Sequence, residues 1–219
     1  MFSKSGQQGG KGLLTSGAKA AFSSCGRYRW WLRRQWQPQG PVLLFVGLNP
    51  SRADGQRDDP TLRRLVGFAR QWGYGALEVV NLFGRISASP ALLKRSADPV
   101  GPSNDSWLLR ALQGGAGDIG GGAANAGGDG GGGSSPAAIW FGWGNQGAWR
   151  GRERQVLRLI GQSLQRCGAS PPPELLCLGV TAAGQPRHPL YVASATRPEP
   201  FALAQTGASG ASCDQRVRS

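Results

Sequence analysis

The pattern of apolar and polar positions organises the chain around one stretch. Val42, Leu43, Leu44, Phe45 and Val46 run without a polar break into the small polar tip Gly47-Leu48-Asn49-Pro50-Ser51. A short unbroken apolar run of this kind predicts a strand buried on both faces, as in a parallel sheet covered by helices. Three similar runs follow: Leu77 to Phe83, Ala137 to Phe141 and Leu175 to Gly179. Between the first two, Leu62, Leu65, Val66, Ala69 and Trp72 recur at helical spacing. They are preceded by Asp58-Asp59-Pro60 and closed by Gly73, a matched set of helix start and stop residues. Ser87 to Pro102 predicts loop and turn, and Asn104 predicts the cap of a short helix through Trp107, Leu108 and Ala111. A later helix, roughly Trp149 to Arg166, gathers Val156, Leu159, Ile160 and Leu164 on one face and turns Arg150, Arg152, Arg154 and Arg158 largely away from it.

Strand and helix alternating in this way predict a single three-layer α/β/α domain, residues 25–200, around a central, mostly parallel sheet of about four strands. In such sheets ligands bind at the carboxyl ends of the strands. Asn49, Asn81, Gly142-Trp143-Gly144 and His188 would all project from that edge. Gly47 and Pro50 fix the backbone around Asn49. An amide in an apolar run, as at Asn81, must find hydrogen-bond partners: it braces a loop or reads a ligand edge. His188, the only histidine in the chain, could shuttle a proton or donate to a developing anion, or brace its loop.

Composition changes this picture in two places. Of 36 glycines, twelve lie between Gly114 and Gly133, so residues 113–136 predict a flexible insertion without a core of its own. The formal charge of +13 is concentrated in residues 1–40, which hold seven Lys or Arg and no acid. Residues 1–24 predict a disordered basic arm, and residues 201–219 a disordered tail. A basic surface points to DNA or RNA as partner, or is simply solvated. From Cys25 to Trp36, Arg and Trp interleave, as a strand or short helix at the sheet edge that either stacks on bases or buries its aromatic faces. Cys25, Cys167, Cys177 and Cys213 form no close pair, which disfavours a disulfide framework or a Cys/His zinc site and fits reduced thiols in a cytoplasmic protein. No apolar run is long enough for a membrane span. No cofactor is called for. Asp54, Asp58 and Asp59 offer a metal-dependent phosphoryl or phosphodiester chemistry as an alternative, although capping already explains the last two.

The motifs Gly47-Leu48-Asn49-Pro50-Ser51, Asp58-Asp59-Pro60-Thr61-Leu62-Arg63-Arg64, Glu78-Val79-Val80-Asn81-Leu82-Phe83, Asp98-Pro99-Val100-Gly101-Pro102-Ser103-Asn104-Asp105, Trp143-Gly144 and Pro186-Arg187-His188-Pro189-Leu190-Tyr191-Val192 resemble a bacterial and phage family known as domain of unknown function 1643. The resemblance runs from about Cys25 to Pro200. The motif order is also similar to the uracil-DNA glycosylase superfamily: a Gly-x-Asn-Pro tip, a strand-end Asn and a late His-Pro. That likeness implies a hydrolase acting on a flipped base. Asn49 would position water, Asn81 would read the base and His188 would stabilise the leaving group, with Gly47, Pro50, Ser51, Trp143 and Arg187 around the substrate. The Asp-Asp-Pro-Thr signature and the long loop from Gly179 to His188 depart from the glycosylase pattern, and no aromatic follows Pro50 unless Trp143 substitutes. A non-catalytic nucleic-acid or nucleotide-binding module is the alternative from outside enzymology.

Overall fold

The computed structural model describes residues 17–51, 58–117, 135–168 and 171–203. The Gly-rich tract 118–134, the far ends of the chain and Asp54 lie outside the described residues.

The elements run, in chain order, β1 (Gly17–Phe22), β2 (Arg29–Gln35), β3 (Val42–Gly47), α1 (Pro60–Gln71), β4 (Ala76–Asn81), α2 (Pro90–Lys94), α3 (Asn104–Leu112), β5 (Ala138–Phe141), α4 (Arg152–Cys167), β6 (Glu174–Cys177) and β7 (Glu199–Pro200). One mixed sheet of seven strands has the order β1-β2-β4-β3-β5-β6-β7. It is larger than the expected sheet of about four. β4, β3, β5 and β6 pair in parallel, while β1, β2 and β7 join antiparallel at the flanks. The three additional strands escape the pattern because they are short or basic and alternate imperfectly. β1 falls within the stretch expected as an arm, and β2 lies inside the sheet, between β1 and β4, where an edge position was expected.

The unbroken apolar runs are explained by burial on both sides. On β3, Leu43 and Phe45 pack with Leu62, Leu65, Phe68 and Ala69 of α1. Leu44 and Val46 face the opposite way, toward Trp107 and Leu108 of α3 and Val156 and Ile160 of α4. β5 divides in the same manner, Trp140 toward α1 and Phe141 toward α4. α1 starts as its sequence requires: the Asp59 carboxylate accepts from the Leu62 N–H at 2.7 Å, with Pro60 in the first turn. Gly73 follows at φ +86°, a left-handed conformation that glycine adopts without strain.

Three local expectations are corrected. Ser87 to Pro102 contains the short helix α2, started by the Ser89 hydroxyl, which accepts from the Leu92 N–H at 3.3 Å. Asn104 is the first residue of α3 and Ser103 its cap; the Asn104 side chain is buried and donates to the carbonyls of Asn81 (2.9 Å) and Leu82 (3.2 Å). α4 begins at Arg152, because Trp149 and Arg150 leave the helical region. Arg152 is itself buried, with Nε donating to the Leu82 carbonyl at 2.7 Å and the guanidinium paired with Asp105. A helical wheel turns this arginine outward; the carbonyls at the end of β4 draw it in.

Among the described residues no helix is long and apolar enough to cross a membrane.

Candidate functional site

The carboxyl ends of β4, β3, β5 and β6 open into a cavity of about 830 Å³, walled on one side by the first turns of α1. Gly47, Asn49, Ser51, Asn81, Trp143, Arg187 and His188 all line it. Pro50 does not: it is buried behind the tip, and its carbonyl accepts from Ser87 N–H at 3.1 Å and from Asn49 Nδ2 at 3.0 Å.

Asn49 is held by its nitrogen. Nδ2 donates to the carbonyls of Pro50 and Ser87, both at 3.0 Å, so the amide ties the β3 tip to the loop after β4 and its orientation is fixed. Oδ1 then keeps its acceptor capacity at the cavity wall. Asn81 closes β4 at 4% exposure, and its Nδ2 is buried without a hydrogen-bond partner. Gly47 stands beside it in register on β3. A Cβ at Gly47 would lie 3.0 Å from Asn81 Oδ1 and 2.9 Å from Phe45 Cε1, so the two strand ends meet this closely only with glycine there. Beneath Asn81, Asn104 and Arg152 hold the carbonyls of residues 81 and 82, which pins the backbone that carries the amide.

Trp143 is 2% exposed, and its ring is locked by Gly147, by Phe141 and by an Nε1 donation to Gln185 Oε1 at 2.7 Å. It contributes wall and has little freedom to swing onto a ligand. The following loop folds back as a ribbon, with Thr181 N–H to Gln185 carbonyl (2.8 Å) and Arg187 N–H to Gly179 carbonyl (2.9 Å), and so delivers Arg187 and His188. Arg187 is exposed and donates Nε to the Val180 carbonyl at 3.2 Å. His188 is half-buried. Its Nδ1 accepts from Leu190 N–H at 3.3 Å, which leaves the proton of the neutral ring on Nε2. Burial lowers the His188 pKa below its ordinary value, so the neutral ring is favoured. Arg64 of α1 donates to the Pro189 carbonyl at 2.9 Å and clamps this loop across the mouth. Tyr191 stands at the rim, 84% exposed, with its ring centroid 5.6 Å from that of His188.

Two cavity residues escape the motif reading. Asp59 is a helix cap by sequence, and it also lines the cavity. Arg29 is 4% exposed and lines the same wall. The strand pairing shows why it was hidden: Ala21 pairs with Trp31 and Phe22 with Arg29, so Trp30 is an extra residue in β2. Such a bulge reverses the alternation beyond it. Trp30 and Trp31 both face the α3 and α4 side, and Arg29 turns to the α1 side.

For metal chemistry the described residues hold no group of three or more His, Cys, Asp or Glu side chains suited to an ion. Asp58 is paired with Arg34 at 2.9 Å, and Asp59 is engaged as a cap.

With this geometry in view, the match to known families becomes informative. The family model described as protein of unknown function DUF1643 matches residues 29–190. The chain belongs to the DUF1643 family. The match begins at Arg29 and reaches past His188, so every cavity residue named above except Tyr191 falls within the DUF1643 segment. No curated protein and no solved structure matches the chain. The likeness to uracil-DNA glycosylases therefore rests on motif order alone.

Proposed function

We propose that the cavity receives a base turned out of a nucleic-acid strand and hydrolyses its glycosidic bond. The observation that carries this reading is Asn81, which lines the cavity and whose Nδ2 is buried without a hydrogen-bond partner. A buried donor left unmet costs about 1–3 kcal/mol, which a ligand acceptor would recover. The volume of about 830 Å³ suits a ring with its sugar and flanking atoms.

In this reading Asn81 presents an amide to the base edge, and Asn49, with Nδ2 tied down, offers Oδ1 to orient a water. The water oxygen bonds to the sugar C1′ as the C1′–N bond breaks and its electron pair passes to the base. His188 Nε2–H donates to the base anion, which takes up the water's proton as it leaves. The test is incubation with single- and double-stranded oligonucleotides, each carrying one deaminated, oxidised or alkylated base, scored for alkali-labile sites. Release of one base by the wild type, lost in Asn49→Ala, is expected. Silence across the panel from folded protein would overturn hydrolysis.

A second reading has its own observation. The two Asn49 bonds to Pro50 and Ser87 are also what a purely architectural brace would make. A non-catalytic module would hold the base or nucleotide in the same cavity, and binding would survive Asn49→Ala with no product formed.

A further inference from the structure

Beside the cavity lies a second, smaller concavity of about 380 Å³, and the loop residues Ser87 and Ala88 line both. We infer that this annex seats the phosphodiester group next to the nucleotide whose base enters the cavity, so that the ligand is a strand and not a free base. The inference rests on the cavity receiving a base and is independent of hydrolysis.

Charge and placement carry it. Among the described residues, Arg85 and Arg95 line the annex and no acid does. Neither arginine is in an ion pair among the described residues. The acid that follows Arg95, Asp98, turns its carboxylate to the Gly101 N–H at 2.8 Å. Two like charges around one concavity concentrate positive potential there, which favours an anion over a neutral group. Arg85 is half-buried and its guanidinium carbon lies 5.6 Å from the centroid of the Tyr28 ring. That ring is fixed in turn, stacked on Trp30 at 5.0 Å with its hydroxyl donating to the Asp98 carbonyl at 3.0 Å. A guanidinium placed in this way loses little freedom on meeting a phosphate, and its planar fork suits two phosphate oxygens. Arg95, at the end of α2, is exposed and adds a second set of donors. The wall between the two concavities is tied to the β3 tip: the Ser87 carbonyl accepts from Asn49 Nδ2 at 3.0 Å, and the Ser87 N–H donates to the Pro50 carbonyl at 3.1 Å. A strand with its base in the cavity and the adjoining phosphate in the annex would cross the lip at Ser87 and Ala88.

The test is a phosphate scan. The tightest-binding single-stranded member of the oligonucleotide panel is labelled, and one linkage at a time is replaced by an uncharged methylphosphonate. Binding is read by fluorescence anisotropy on mixing. In the wild type one linkage adjoining the altered base should stand out, its neutralisation weakening binding about tenfold, as the loss of a charge-assisted contact does. In the Arg85→Gln/Arg95→Gln double variant that linkage should become like the others, and the slope of log affinity against log salt should fall by about 1. Arg95→Gln alone, which changes an exposed side chain, should reduce the effect and serves as a second variant should the double one fail to fold. Arg158→Gln, a change at an exposed arginine of α4, should leave it intact. Equal effects at every linkage, no binding of any strand, a standout linkage that both annex variants retain in full, or its equal loss in Arg158→Gln would overturn the annex. Base release from the panel without a standout linkage would remove the annex and keep the hydrolase; a standout linkage without base release would do the reverse.

Discussion

At the scale of single residues, the cavity depends on small groups that let polar ones approach. Gly47 leaves room for the Asn81 amide, and a methyl there meets Asn81 Oδ1 and Phe45 together. Gly47→Ala is expected to destabilise the fold by about 1–3 kcal/mol, the usual range for overpacking, and to weaken ligand binding by more than the melting temperature alone would suggest; equal affinity in the variant would show that the Asn81 position is not critical. His188 supplies a pH dependence. Its folded pKa lies below the ordinary 6.5, so the unfolded chain takes up the proton first as pH falls. Stability attributable to this residue is therefore complete above about 6.5 and is lost progressively below it. His188→Gln should flatten the dependence of melting temperature on pH in that acid window, and an unchanged slope would contradict the burial of the His188 ring.

At the scale of elements, α3 and α4 act on the site through the end of β4. Asn104 donates twice, to the carbonyls of residues 81 and 82, and Arg152 adds a third bond. Asn104→Ala should cost about 1–3 kcal/mol by leaving buried carbonyls unmet. It should also loosen amide exchange at Leu82 and Phe83 beyond the global loss, which hydrogen exchange would measure. What the sequence makes legible follows from the same local physics. α1 could be read to the residue because Asp59, Pro60 and Gly73 each have one strong local preference. The four parallel strands were visible because burial favours short apolar runs, unbroken in β3 and β5. β2 was harder: Arg29 and Arg34 are buried polar residues in a strand with a bulge, and an alternation that reverses at Trp30 cannot be read without its partner strand. Asn104 and Arg152 were misread for a related reason, since cap and surface roles are their usual local choices and only the nearby carbonyls of β4 override them. The meeting of Asn49, Asn81 and His188 at one edge was foreseeable from strand order. Arg29 at that wall was not.

At the scale of the molecule, the chain carries a formal charge of +13, while the cavity is lined by the amides of Asn49 and Asn81 and by His188. In the proposed reading, long-range attraction and local recognition would be carried by different groups. Nucleic-acid affinity should fall steeply with added salt, since released counterions drive that part of binding, while the discrimination between ligands that differ only at the Asn81 edge should hardly change. A discrimination that decays with the affinity would place recognition on the surface charge. The most direct test of the cavity itself follows the Asn81 side-chain amide by ¹⁵N-resolved NMR as free bases and nucleotides are titrated in. Because Nδ2 is buried without a partner, a ligand of the site should shift its two N–H resonances and slow their exchange, and Asn81→Leu should abolish binding while the fold persists. A ligand that binds tightly and leaves the Asn81 resonances unmoved would contradict the account.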